Sequence, residues 1–210
     1  MNIWGIQAKG YDGKDLDAWR KFLEKGCVGI GWRNLGDISS IVGDVEALRS
    51  RFEELLPPSD EGDKDWTKKK RNGCIGMNTG LVHRFVSEMQ KGGCVIFPTT
   101  DVDDPIHNRC IHIGVVTGPY RYDPDFGDEY THFRPVKWLH RVCRDDLSDE
   151  TKDILMCARS FQRVQSPNDE VRKIVATAAD GSGIAVTPGA TEDYGANGKQ
   201  KPELPPIPNA

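Results

Sequence analysis

Trp32 and Trp138 are the two indoles best placed to receive a flat ligand, because each has neighbours that can read polar edges. Trp32 closes the apolar run Val28-Gly29-Ile30-Gly31 and is followed by Arg33, Asn34, Asp37, Ser39 and Ser40. A nucleobase stacked on an aromatic face gains about 1–3 kcal/mol, and a carboxylate such as Asp37 accepts from an exocyclic amine. The same carboxylate is equally suited to capping the turn that follows it. Farther along, His132 and Arg134 flank Phe133 and so share one strand face with Val136 and Trp138, while Lys137 takes the other. A guanidinium beside an indole can hold a phosphate while the ring stacks. The acids Asp123, Asp125, Asp128 and Glu129 are an alternative set of partners for Arg134.

Phe97 and Thr99 end another strand-like run, and with Trp32, Asp37, Ser39 and Trp138 they complete the expected ligand-binding set. Trp4, Tyr120 and Tyr122 are further aromatics near strand ends; Trp4 and Trp138 could equally fill a core. For a nucleic-acid backbone the candidates are Arg33, Arg134 and the charge run Lys68, Lys69, Lys70 and Arg71. That run lies in the polar stretch 59–73, which reads as a loop and in its bland reading is merely solvated.

Catalysis has little support. A metal-dependent nuclease would need separated acids ending in Asp/Glu-x-Lys, and at that offset from Lys137 stands Pro135. His107, His112, His132 and His140 lack metal-ligand spacing, and no glycine-rich stretch carries a phosphate-loop Lys-Ser/Thr or a complete dinucleotide fingerprint. No catalytic residue, metal or cofactor is therefore expected.

With 28 Lys and Arg against 32 Asp and Glu the net charge is -4, which argues against backbone-led coating of nucleic acid. The six cysteines fall singly, with no CxxC. Such cysteines are expected as buried thiols in a reducing compartment rather than a disulfide frame. Neither a secretory leader nor a run of membrane-spanning length is visible, so the expectation is a soluble cytoplasmic protein.

These residues must be positioned by strands at 2–8, 27–32, 94–98, 110–117 and 133–142, the second pairing with the first. Helices are expected over 15–25, from Val45 to the stop at Pro57-Pro58, and from a Thr79 cap through Met89 to Gly92-Gly93. Two more are expected over 149–158 and 166–178, the latter with Ser166 as cap and Pro167 in its first turn. The segment 180–210 holds five Pro and five Gly and reads as a disordered tail or linker. The reading is thus one α+β domain over 1–179, with a core of about 2–145 and a helical extension over 146–179. About five strands form a partly closed, antiparallel or mixed β-barrel with flanking helices.

Trp4, the Val28–Trp32 run with Leu35-Gly36-Asp37-Ile38, Gly92–Pro98, Gly114–Tyr122 and His132–Trp138 together resemble the N-terminal module of Mrr-type restriction-system proteins. That module is similar to the PUA-like group that includes EVE and YTH domains, and the resemblance covers residues 2 to 145. It implies a helix-flanked β-barrel and a non-enzymatic reader of DNA, with a modified base flipped into an aromatic pocket, serving a restriction or antiphage system. A nuclease or other effector is the partner such modules imply. The alternatives are a small-molecule or nucleotide sensor, and an interaction scaffold acting through the Pro202–Pro208 tail.

Overall fold

The computed structural model describes residues 2–7, 18–58, 66–99, 110–126, 130–155 and 161–180. Seven strands form one mixed sheet, curled into a half-barrel: β1 (Ile3–Ile6), β2 (Cys27–Ile30), β3 (Cys94–Pro98), β4 (Cys110–Val116), β5 (Arg121–Tyr122), β6 (His132–Cys143) and β7 (Phe161–Arg163). Their order is β2-β6-β4-β3-β1-β7, with β5 on β6. Only β1 and β3 run parallel.

Two expectations about the sheet are corrected. First, β2 pairs with β6, not with β1, which is flanked instead by β3 and β7. Ile3-Trp4-Gly5-Ile6 is buried along its whole length, as a central strand with neighbours on both edges requires. Second, the segment expected as a helical extension supplies β7, so the sheet is not complete by residue 145. The expected count of about five strands falls two short, the missing ones being the two- and three-residue strands β5 and β7.

β6 is the spine. Its first half pairs with β2 and β5 and its second half with β4. Burial alternates as the sequence spacing requires: His132, Arg134, Val136 and Trp138 are buried, Phe133 and Pro135 half-buried, Lys137 exposed. A register shift between Ile113 and Gly114 sets a bulge opposite Leu139. A Cβ at Gly114 would lie 2.5 Å from Val136 Cγ1 and 2.9 Å from Trp138 Cε3. Only glycine lets β6 fold this closely over β4.

Helix α1 (Ala18–Glu24) seats Trp19 and Phe22 in the core. Helix α2 (Val45–Leu55) begins where expected, with Asp44 Oδ1 accepting from Ala47 N at 2.9 Å. Helix α3 (Lys68–His83) starts eleven residues before the expected Thr79 cap; its true cap is Thr67, whose Oγ1 accepts from Lys70 N. Thr79 is buried inside it. Gly73, Gly76 and Gly80 dilute its helical propensity, which is why the charged stretch reads as a loop. α3 runs on into a π-helical turn, Arg84–Glu88. Helix α4 (Asp149–Leu155) precedes β7, and α5 (Asp169–Asp180) is capped by Asn168, not Ser166: Asn168 Oδ1 accepts from Val171 N at 2.9 Å.

Two buried clusters cover the sheet. The larger joins α1, α2 and α3 to Trp4, Phe97 and Trp138; the smaller places Leu155, Val171 and Val175 over Ile3, Ile96, Ile111 and Ile113. Of the segment 180–210, expected to be a tail, Asp180 ends α5 and residues 181–210 lie outside the described residues.

Candidate functional site

The chain leaves β2 and at Trp32 takes up φ 71°, the one positive φ outside glycine among the described residues. A left-handed conformation costs an ordinary residue about 1–2 kcal/mol, so the surroundings must enforce it. The Trp32 carbonyl accepts from Leu35 N at 2.8 Å and from His132 Nε2 at 3.2 Å, and its half-buried ring meets Phe52 edge-on at 6.3 Å. Gly36 follows at φ 67°. Asp37 Oδ1 then accepts from Ser39 N at 2.9 Å and Ser39 Oγ at 2.6 Å, which holds the exposed carboxyl below the usual carboxylate range. Asp37 therefore closes a turn, the structural one of its two readings.

Tyr120 and His132 tie this loop to the sheet. A carbonyl only accepts, so the bond to Trp32 places the imidazole proton on Nε2. In the neutral ring Nδ1 is then an acceptor, and the Tyr120 hydroxyl donates to it at 2.7 Å. The phenol oxygen is also approached by the Ile38 backbone N–H. Burial lowers the His132 pKa despite the bond to Trp32 and the nearby Asp37 carboxylate, and burial first, Asp37 second, push the Tyr120 phenol up. The two rings stack at 5.9 Å, with Tyr122 at 5.3 Å from the imidazole.

One residue farther along this face, Arg134 meets the π-helical turn. Its Nε donates to Phe85 O at 2.8 Å, Nη2 to Val86 O at 2.6 Å and Nη1 to Gly118 O at 3.3 Å. The first two acceptors are carbonyls that the end of a helix leaves without an internal partner, and a cation there also complements the helix dipole. Neither Asp123 nor Asp125 pairs with Arg134; Asp123 instead accepts from Asp125 N, and Asp128 and Glu129 lie outside the described residues. Burial pulls the guanidinium pKa down to about 10, so it stays charged at neutral pH. Among the described residues, two of its five N–H groups have no carbonyl to donate to.

Arg134 lines a cavity of about 520 Å³ together with Ser39, Ser87, Lys91, Gly118 and Tyr120. Its remaining walls are Val42, Val86, Gln90 and Pro119, so among the described residues the lining holds two cations and no carboxylate. The volume is that of a small-ligand site. Such a lining can bind and orient an anionic group beside an aromatic wall.

A family model described as a domain of unknown function, DUF8426, matches residues 4–163, most of the chain. The chain belongs to this family. No curated protein and no solved structure matches it. The DUF8426 match begins at Trp4 and ends at Arg163, two residues that face each other across β1 and β7. The match thus reaches every strand of the sheet, and α5 lies beyond the matched residues while packing on the sheet.

Of the residues expected from sequence to bind a ligand, the DUF8426 domain brings Ser39 to the cavity and holds Trp32 and Asp37 in the adjoining loop, while Arg134, expected at a nucleic-acid backbone, also lines the cavity. Phe97, Thr99 and Trp138 lie elsewhere, in the interior. Trp138 is 7 % exposed, its Nε1 donates to Phe22 O at 3.1 Å and its ring packs 5.8 Å from Phe97. Thr99 is fully buried and bonds Cys110 O. Trp32 and Trp138 therefore do not form the two walls of one open slot.

The backbone candidates also separate. Arg33 is exposed in the turn after Trp32, whereas Arg71 donates to Glu53 O, Leu56 O and Pro57 O and so caps α2. Lys68, Lys69 and Lys70 are exposed on the first turn of α3, about 27 Å along the helix from Ser87 at 1.5 Å per residue. Lys91, Ser87 and Gln90 carry no motif that marks them in the sequence. Among the described residues no group of three or more His, Cys, Asp or Glu is placed to hold a metal ion, and no helix is long and apolar enough to cross a membrane.

Proposed function

We propose that this DUF8426 domain is a non-enzymatic reader that takes one nucleotide of a DNA strand, with a modified base, into the cavity under the Trp32–Ser39 loop. The lining supports this reading: Arg134 and Lys91 supply positive charge, no carboxylate lines the cavity among the described residues, and Tyr120 offers an aromatic wall. In this arrangement the phosphate lies toward Arg134 and Lys91, the base lies against Tyr120, and Ser39 reads its edge. The curled half-barrel with flanking helices suits the PUA-like framework that the sequence resembles, in which specificity is delivered to a restriction or antiphage effector. A base leaves its stack at a cost of a few kcal/mol, least where the duplex is already weakened.

The net charge of -4 favours a second reading, a free nucleotide held in the same cavity. Calorimetric titration with oligonucleotides carrying modified or unmodified bases, and with mononucleotides, separates them. Reader function predicts preference for one modified oligonucleotide and a steep loss of affinity with salt; tight mononucleotide binding with a flat salt response establishes the sensor. Equal, weak binding of every ligand by wild type and Lys91→Glu overturns both.

A further inference from the structure

Of the five cysteines among the described residues, two stand opposite each other. Cys110 at the start of β4 pairs in register with Cys143 at the end of β6. Neither is in a disulfide; Cys110 is buried and Cys143 half-exposed. Cys27 lies opposite Pro135, Cys94 lies opposite Val115 and Ile3, and Cys74 is on α3.

The hydrogen-bond phase of β4 fixes the kind of pair. The Cys110 carbonyl accepts from Thr99 N, and Val116 N donates to Gly93 O, so the even-numbered residues of β4 turn their backbone groups toward β3. Thr117 N donates to Pro135 O, which places the odd phase toward β6. Toward β6, Cys110 and Cys143 are therefore a non-hydrogen-bonded antiparallel pair, the type in which Cα atoms approach to about 4.5 Å and side chains lie closest. A disulfide spans Cα separations of about 4.4–6.8 Å. Both side chains project from the same face of the sheet.

We propose that Cys110 and Cys143 are an oxidation site, at which a hydroperoxide converts the two thiols into one disulfide joining β4 to β6. Cys143, the more accessible sulfur, attacks the peroxide; the O–O bond breaks, water leaves and a sulfenic acid forms. The Cys110 sulfur then attacks the Cys143 sulfur, the S–O bond breaks, and a second water leaves with the Cys110 proton. The balance is two thiols and one hydrogen peroxide to one disulfide and two waters. Burial holds the Cys27 and Cys94 thiols protonated, with pKa pushed up to about 12, so they do not compete as nucleophiles.

The bond would close the loop that carries Gly118, Pro119, Tyr120 and Arg134, four residues of the cavity wall. Restricting a loop of this length in the unfolded chain raises thermal stability, by on the order of 10 °C for a protein of this size.

The test treats the full chain with stoichiometric hydrogen peroxide, alkylates remaining thiols, and maps peptides without reduction. Two of the six thiols become unavailable, one cross-linked peptide joins Cys110 to Cys143, and the melting temperature rises until dithiothreitol reverses it. Cys143→Ser abolishes the cross-link and the rise, while Cys74→Ser retains both. A cross-link to any other cysteine, an unchanged thiol count, or a sulfinic acid on Cys143 without cross-linking overturns the proposal.

Discussion

The Tyr120 hydroxyl donates to His132 Nδ1 at 2.7 Å while His132 Nε2 donates to the carbonyl of Trp32. This two-bond relay fastens the one strained non-glycine residue of the described chain to its longest strand. Replacing Tyr120 with Phe leaves a buried imidazole acceptor unpaired, which costs about 1–3 kcal/mol. Urea unfolding should show that loss, and ligand affinity should fall because the Trp32–Ser39 loop is released.

The same relay sets a pH dependence. Because the folded-state pKa of His132 lies below the usual imidazole value of about 6.5, the unfolded chain binds the proton first. Its contribution to stability is fully present above that value and declines as pH falls from it toward the lowered folded one. Denaturation midpoints at pH 8, 6.5 and 5 should fall in that order, and His132→Gln should flatten the trend. Asp37, whose pKa is also lowered, contributes in a separate and more acidic window, below the ordinary carboxylate range.

Arg134 is bound to three carbonyls, so its replacement disturbs folding and binding together. Arg134→Lys should reduce stability by about 2–4 kcal/mol, since one ammonium cannot span Phe85, Val86 and Gly118. Lys91 is exposed on the cavity lining and separates the two effects. Lys91→Glu should leave the unfolding midpoint unchanged and weaken binding of a phosphate-bearing ligand about tenfold, close to 1.4 kcal/mol.

The two indoles should behave differently. Trp138→Ala empties a packed interior position and should cost about 3–5 kcal/mol, with any binding defect following from unfolding. Trp32→Ala removes a half-buried ring packed against Phe52 and should be the milder change. Comparable destabilisation by both would contradict the placement of Trp32 at the edge of the core.

Gly114→Ala tests the bulge. The added methyl group would sit inside the contact distance of Val136, Trp138 and the Lys137 carbonyl, and overpacking of this kind costs about 1–3 kcal/mol. Thermal denaturation should register it, whereas Gly76→Ala on the open side of α3 should be neutral or stabilising.

What the sequence determined by itself is local. The alternation of His132, Arg134, Val136 and Trp138 on one face of β6 follows from the two-residue period of a strand, and Asp44 before Val45 announces α2 because a cap needs only residues three apart. Pro57-Pro58 likewise stops α2 through its own covalent geometry. The tertiary structure decided what those faces meet. Trp138 became core because Phe22 and Phe97, far away in the chain, close over it; Trp32 stayed at the edge because His132 holds its backbone from a hundred residues away. Arg134 and Arg71 read equally well as phosphate ligands, yet each found carbonyls at a helix end, an acceptor set that exists only once the helices are packed. β2 chose β6 for the same reason: strand partners are set by which edges the folded sheet leaves open, and no residue type encodes that alone.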